Sequence, residues 1–311
     1  MAVPFSLLTL PFWVWPFSAI LTQTYLDDLD DDPSVPRPDQ VPIIFTPHDF
    51  LSIVQFIFYL PMVAAAIWLV IRNGRIRPRM TLWPLIPFTL VRLVGGPVLI
   101  ALENRLHHDG SFQTGLLASA IILLHVGAVL LFVAHLDLTR LVLQDKFGDG
   151  PFTRAITIVL RLVLVGAACL LGAGGGMGSQ DLDALQFIGQ ILTFAGYIIF
   201  ALNFVVLTSV QVYCYTRKAS ILPTAQRVLR GALLASPFIT VRIIYGIIEA
   251  GRFEDRVTVW LPIYDDPQTS SIIMFFFMAL VMEYIALIVY LWSGFSIPRN
   301  GTEAEATGQS S

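Results

Sequence analysis

Ionisable residues interrupt several long apolar stretches of this chain, where a charge has few partners. Arg92, Arg242 and Glu283 each lie within a run of apolar residues. Counting from the ends of those runs places the three at a similar depth, together with His125. A charge surrounded by apolar groups is costly unless it is paired. Glu283 is therefore expected to be either protonated or paired with an arginine.

A second pattern extends this layer along one helix. Arg242, Tyr245 and Glu249 are spaced by three and four residues, so they share one face of a helix. This face predicts a polar stripe that runs from Arg242 towards the end of the apolar run, beside Arg252. The stripe is typical either of a helix packed through polar contacts or of a lined cavity.

Two interpretations of the charged layer remain open. In the first, Glu283 and an arginine form an interhelical ion pair that fixes the arrangement of the helices. In the second, the layer is a polar cavity for a small anionic or amphiphilic molecule, because two arginines near one glutamate leave net positive charge. The predicted ligand-binding residues are Arg92, His125, Arg242, Tyr245 and Glu283.

No metal, cofactor or nucleic-acid partner is predicted. His125 and His135 are ten residues apart, which is almost three helical turns and too far for one metal site without further ligands. The glycine-rich segment 172–179 lacks the Lys-Ser/Thr ending of a phosphate loop. It is expected to form a loose end of the fourth apolar run.

Seven apolar runs position these residues. The chain is 56% apolar and only 13% charged, against roughly 25% charged in soluble domains. Each run is long enough to cross the roughly 30 Å of bilayer hydrocarbon. The sequence therefore predicts an all-α, polytopic integral membrane bundle of seven transmembrane helices. The runs lie at about 50–71, 82–102, 113–135, 155–177, 186–213, 231–250 and 270–292.

The basic residues are sorted by loop and predict an orientation. Of the 19 lysines and arginines, twelve lie on one side of the predicted bundle. They belong to the loops after the first, third and fifth runs and to the C-terminal tail. Four lie on the opposite side, and Arg92, Arg161 and Arg242 lie inside runs. Because positive loops face the cytoplasm, the N-terminus is expected outside or in a lumen and the C-terminus in the cytoplasm. The expected location is the endoplasmic reticulum or the plasma membrane.

Composition divides the chain into four parts. Residues 1–26 form an apolar segment that suits a signal peptide or a signal anchor. Residues 27–48 form an acidic, proline-rich linker. The seven-helix membrane domain spans 49–293, and 294–311 form a polar, disordered cytoplasmic tail.

Four segments of the membrane domain resemble an uncharacterised family of fungal seven-span membrane proteins. They are HDFLSIVQFIFYLPMV, VRLVGG, SPFITVRIIYGIIE and MALVMEYIALIVYL, in the first, second, sixth and seventh runs. The resemblance covers about residues 47–293 and implies a fungal integral membrane protein, without an agreed activity. The positions that match the family's polar signature are Arg92, Arg242, Tyr245 and Glu283.

Three functions are compatible with these patterns. The first is binding or moving a small amphiphilic or anionic molecule within the lipid bilayer. The second is a terpene-cyclase-like enzyme of secondary metabolism, since membrane-embedded terpene cyclases also have seven spans. Its acid would be Glu283 or Glu249, and Tyr245 with Trp68 or the phenylalanines 275–277 would stabilise cationic intermediates. The third is a receptor-like sensor, although no Asp-Arg-Tyr-type element follows the third run.

Overall fold

The described part of the chain consists of helices packed side by side. The computed structural model describes residues 47–73, 82–109, 114–147, 150–180, 182–217, 223–251 and 274–296. The predicted N-terminal segment, nearly all of the acidic linker and residues 297–311 of the predicted tail lie outside the described residues. The first two residues of that tail, 294 and 295, belong to the last helix.

Seven α-helices and one π-helical segment make up this part, so the all-α prediction is confirmed. The helices are α1 (Pro47–Asn73), α2 (Leu85–Asp109), α3 (Thr114–Phe147), α4 (Pro151–Gly178), α5 (Asp183–Thr216), α6 (Pro223–Gly251) and α7 (Met282–Phe295). The π-helical segment Phe275–Val281 leads directly into α7.

Six helical stretches among the described residues are long and apolar enough to cross a membrane. They belong to α1, α3, α4, α5, α6 and the π-helical segment continued by α7, whereas α2 carries a shorter apolar stretch, Leu85–Ala101. Large apolar side chains such as Ile57, Leu162 and Leu202 are exposed on the outer faces. Such surfaces are rare on soluble monomers and suit contact with lipid. The fold is consistent with a multi-pass membrane protein.

Helix α3 is the central helix of the bundle. Helices that follow one another in the chain pack together, and α7 also packs against α1. Helix α3 contacts α2, α4, α5, α6 and α7. Within its most apolar window 56% of the residues are buried, against 22% in α1 and in α4. Side chains of α3 are therefore well placed to meet groups from most of the other helices.

Helix α3 is longer than predicted. The third run was expected to end at residue 135 and to be followed by a loop, whereas α3 continues to Phe147. His135 and Asp137, at and just beyond this predicted end, are both buried with partners. His135 Nδ1 lies 2.6 Å from the hydroxyl of Tyr290, and Asp137 forms an ion pair with an arginine of α4. Polar contacts between helices satisfy these groups, so the helix does not need to end there.

The glycine-rich end of α4 is a close helix contact, and the prediction of a loose end was wrong. Helix α4 continues to Gly178. A Cβ atom built on Gly189 of α5 would lie 2.6 Å from the carbonyl oxygen of Gly174 and 2.6 Å from the amide nitrogen of Gly178. The two backbones can touch because no side chain lies between them. Small residues four apart are typical of such contacts between membrane helices.

Candidate functional site

Arg92, Arg242 and Glu283 meet inside the bundle, from α2, α6 and α7; we call them the charged cluster. Arg92 Nη2 donates to Oε1 of Glu283 at 2.5 Å and lies 2.5 Å from Oε2. Arg242 Nε donates to the same Oε1 at 2.6 Å. The exposed fraction of the Glu283 side chain is 1%, and those of the two arginines are 6% and 2%. Glu283 is thus paired with two guanidinium groups.

A side chain of α1 and the backbone of α3 hold Arg92 in place. Gln55 Nε2 on α1 donates to the carbonyl oxygen of Arg92 at 2.7 Å. Arg92 Nη2 also reaches the carbonyl oxygen of Leu124 on α3 at 3.3 Å. A Cβ atom on Gly127 would lie 2.8 Å from the Arg92 Cζ, so the guanidinium occupies space that a side chain would fill. The position of Arg92 therefore depends on a glycine of the central helix.

Two tyrosine rings flank Arg242. Its Cζ lies 5.9 Å from the ring centroid of Tyr197 on α5 and 5.7 Å from that of Tyr245 on α6. Both distances allow a cation–π attraction, which is stronger away from water. The Tyr197 hydroxyl makes long contacts of 3.5 Å with Nη1 and Nη2 of Arg242. The ring of Tyr197 packs against Gly246, where a Cβ atom would collide with it.

The predicted stripe on α6 is buried over its whole length. Tyr245 and Glu249 are both nearly inaccessible, and Glu249 lies within electrostatic range of Arg242. Arg252, the predicted outer neighbour, lies outside the described residues. The charges of Glu283 and Glu249 both act on Arg242. The net positive charge expected from two arginines and one glutamate stays a prediction.

His125 lies at the edge of the charged cluster. Its Nδ1 is 2.7 Å from the carbonyl oxygen of Ile121, one turn earlier on α3. The ring centroids of His125 and Tyr197 are 5.8 Å apart. His125 therefore reaches the charged cluster through Tyr197. Among the residues with described placement, no group of three His, Cys, Asp or Glu side chains could hold a metal ion.

Tyr59 of α1 adds an unpredicted group to the site. Its side chain is fully buried, and its ring packs edge-to-face on Phe88 at 6.1 Å and on Tyr284 at 5.7 Å. The hydroxyl is within electrostatic range of all three members of the charged cluster. Neither this hydroxyl nor Arg92 Nε forms a hydrogen bond with any residue that the structure describes. Two hydrogen-bond donors thus remain available beside the paired charges.

The π-helical segment ends two residues before Glu283. Such wide turns are rare and often occur at functional sites. Phe275 in this segment is buried, with its ring centroid 6.1 Å from that of Tyr245. By contrast, Phe277 and Trp68 are more than half exposed. Of the aromatic residues named for a cyclase, Phe275 and Tyr245 lie together, whereas Trp68 and Phe277 face outwards.

The whole site lies within a range of residues that matches a known protein family. Residues 45–300 match the model of a family described as a domain of unknown function, DUF7702. The chain belongs to the DUF7702 family. The matched range includes every helix described above and agrees in extent with the predicted resemblance over residues 47–293. A comparison with curated proteins gives no match. The match gives the limits of the domain, and the description of the DUF7702 family names no activity.

Proposed function

We propose that this DUF7702 protein binds, and thereby retains or moves, a small amphiphilic molecule at the charged cluster. The observation that carries the proposal is the pair of buried donors, Arg92 Nε–H and the Tyr59 hydroxyl, beside Glu283. A buried donor without an acceptor costs about 1–3 kcal/mol. A ligand that brings an acceptor oxygen to both donors would recover that free energy.

The chemistry of the donors selects the polar end of the ligand. A guanidinium group binds carboxylate and phosphate oxygens more strongly than neutral acceptors. The surrounding helices are apolar, so the rest of the ligand is expected to be a hydrocarbon chain or ring system. A carboxylate-bearing amphiphile fits both requirements. The proposal depends on these donors and not on an excess of positive charge.

The arrangement in the membrane forms part of the proposal. The 25 residues of α2 span about 37 Å as an α-helix, and α2 packs against α1 and α3. We infer that α2 is a seventh span, which puts the two ends of the bundle on opposite sides of the membrane. The sorting of lysine and arginine then favours a cytoplasmic C-terminus, in the endoplasmic reticulum or the plasma membrane. The fungal source rests on the sequence resemblance.

A terpene-cyclase-like enzyme of secondary metabolism is the second candidate. It is favoured by the contact of Tyr245 with Phe275 and by Glu249, a second buried carboxylate. Glu283 suits the role of acid less well, because two arginines donate to it and a general acid must hold a proton. No contact favours a receptor-like sensor over these two, and it stays a prediction.

Small molecules that co-purify with the protein separate the two candidates. We expect the protein, extracted from native membranes in mild detergent, to carry one acidic amphiphile that is absent from a mock preparation. Cells with and without the protein are expected to make the same set of small molecules. Mass spectrometry checks both expectations. A cyclised product missing from cells without the protein would favour the enzyme, and a purified protein without any enriched amphiphile would contradict binding.

A further inference from the structure

A second group of charges lies at the junction of α3 and α4, away from the charged cluster. The Arg161 guanidinium on α4 pairs with the Asp137 carboxylate on α3. Asp137 is buried, with 9% of its side chain exposed, but Arg161 is 43% exposed. Helix α4 is among the least buried spans. Arg161 therefore presents part of its guanidinium at the outer surface of the bundle, where lipid is the neighbour.

Two more arginines adjoin this pair. Arg140 is one turn beyond Asp137 on α3, half-buried and within electrostatic range of its carboxylate. Arg154 is exposed and lies on the same face of α4 as Arg161, two turns or about 10 Å away along the axis. Asp137 is the one carboxylate among the side chains described on α3 and α4. Two guanidinium groups, those of Arg161 and Arg140, thus act on one carboxylate, and Arg154 adds a third basic group farther along α4.

The surface of α4 beyond Arg161, on the side away from Arg154, is apolar. Leu162 and Val165 there are each at least half exposed, and so is Ile158, which lies between the two arginines. Arg154 is close to the start of α4, where a span meets the headgroup layer, and a long arginine side chain such as that of Arg161 can extend towards the same layer. The face of α4 therefore changes from basic near the end of the span to apolar farther in. A phospholipid has the same order of groups, from headgroup to acyl chain.

We propose that this α3–α4 face binds the headgroup phosphate of an anionic phospholipid. Arg154 and Arg161 hold the phosphate oxygens, and Arg140 adds to the positive field. The acyl chains lie against Ile158, Leu162 and Val165. Basic sites between membrane helices on the cytoplasmic side bind anionic headgroups. The arginine-rich loops assign this end of α3 and α4 to that side.

A structural ion pair by itself does not explain the group. One arginine suffices to neutralise Asp137, and Arg161 could do so from a buried position. Instead, Arg161 is partly exposed among apolar residues, and Arg154 continues the basic face without a carboxylate beside it on the described part of α4. Among the side chains described on α3 and α4, three arginines accompany one carboxylate at an apolar surface, and this excess of positive charge favours a partner that is both anionic and lipid-like.

Binding of phosphatidylglycerol tests the proposal on the full-length protein. The protein is placed in nanodiscs of phosphatidylcholine with and without phosphatidylglycerol, and retained lipid is counted by native mass spectrometry. We expect the double variant Arg154→Gln and Arg161→Gln to retain phosphatidylglycerol about tenfold less than the wild type. Arg230→Gln is the matched control, because Arg230 is an exposed arginine near the start of α6, and it should retain as much as the wild type.

Two further measurements distinguish lipid binding from a folding defect and from binding of free phosphate. Arg154→Gln alone leaves the Arg161–Asp137 ion pair intact, so it should fold normally and still lose several-fold in retention. Inorganic phosphate added to phosphatidylcholine nanodiscs should not raise the thermal stability of the protein, whereas phosphatidylglycerol should. Equal retention by the wild type and both glutamine variants would overturn the proposal. Equal stabilisation by inorganic phosphate would also overturn it, because the site would then bind the ion and not the lipid.

Discussion

Replacing Glu283 by glutamine is expected to lower the free energy of unfolding by about 3–5 kcal/mol, which is the usual cost of removing one partner from a buried ion pair. Glutamine has nearly the same shape as glutamate, so packing changes little. Arg92 and Arg242 both donate to Glu283 and would lose their shared acceptor charge. The measurement is unfolding in mixed detergent micelles, with the yield of monodisperse protein as a second readout.

A charge-free variant is the matched control for this substitution. In the combination Arg92→Met, Arg242→Met, Glu283→Leu and Glu249→Gln, the charges of the cluster and the carboxylate that acts on Arg242 are all removed. Replacing a whole buried ion pair by apolar residues is often neutral or stabilising. We therefore expect this fourfold variant to recover most of the stability that Glu283→Gln loses, while it no longer binds ligand. A Glu283→Gln protein as stable as the wild type would mean that the carboxylate does not neutralise the two arginines.

Replacing Gly189 by valine is expected to separate α4 from α5 and to cost about 3 kcal/mol of stability. The new Cβ atom would meet backbone atoms of Gly174 and Gly178, which cannot rotate away as a side chain can. The helices would have to move apart along the most closely packed part of their contact. Thermal unfolding in detergent measures the effect.

The same glycine-rich segment provides the controls. Apart from the backbone of their own helix, Cβ atoms built on Gly172 and Gly176 meet no heavy atom within 4 Å in the part of the chain that the structure describes. Valine at either position should therefore change the stability by no more than about 0.5 kcal/mol, as for most surface substitutions. If all three valine variants unfold alike, the loss comes from the glycine-rich sequence as such and not from the close contact.

The position of a charged residue within its apolar run predicts its depth in the membrane. This depth alone identifies Arg92, Arg242 and Glu283 as members of one site. A charge in such a run is costly, so its partners must lie at the same depth on other helices. Tyr59 and Tyr197 could not be selected in this way. Tyrosine is common in membrane helices, and nothing in its spacing separates a residue beside the charged cluster from one in ordinary packing. For Tyr197, Gly246 is the one such signal, because it leaves room for the tyrosine ring.

The ends of helices were harder to predict than their number. The third run is predicted to end at residue 135, whereas its helix continues past the polar residues His135 and Asp137. Their partners come from α7 and α4, which are far away in the sequence, so only the packed bundle shows that both are satisfied. The glycine-rich segment was misjudged for a related reason. Its role depends on Gly189 of the next helix.

Binding of decanoate, a simple carboxylate amphiphile, tests the central claim most directly. Labelled decanoate is titrated onto the protein in phosphatidylcholine nanodiscs, with empty nanodiscs as background, for the wild type and Tyr59→Phe. Tyr213→Phe, on the exposed surface of α5, is the matched control. We expect Tyr59→Phe to bind decanoate about tenfold more weakly, since one hydrogen bond to a charged group is lost. Its unfolding temperature without ligand should be no lower than that of the wild type, because the hydroxyl has no hydrogen bond among the described residues to lose. Equal affinities of the wild type and Tyr59→Phe, or no binding by either, would contradict a ligand site at the charged cluster.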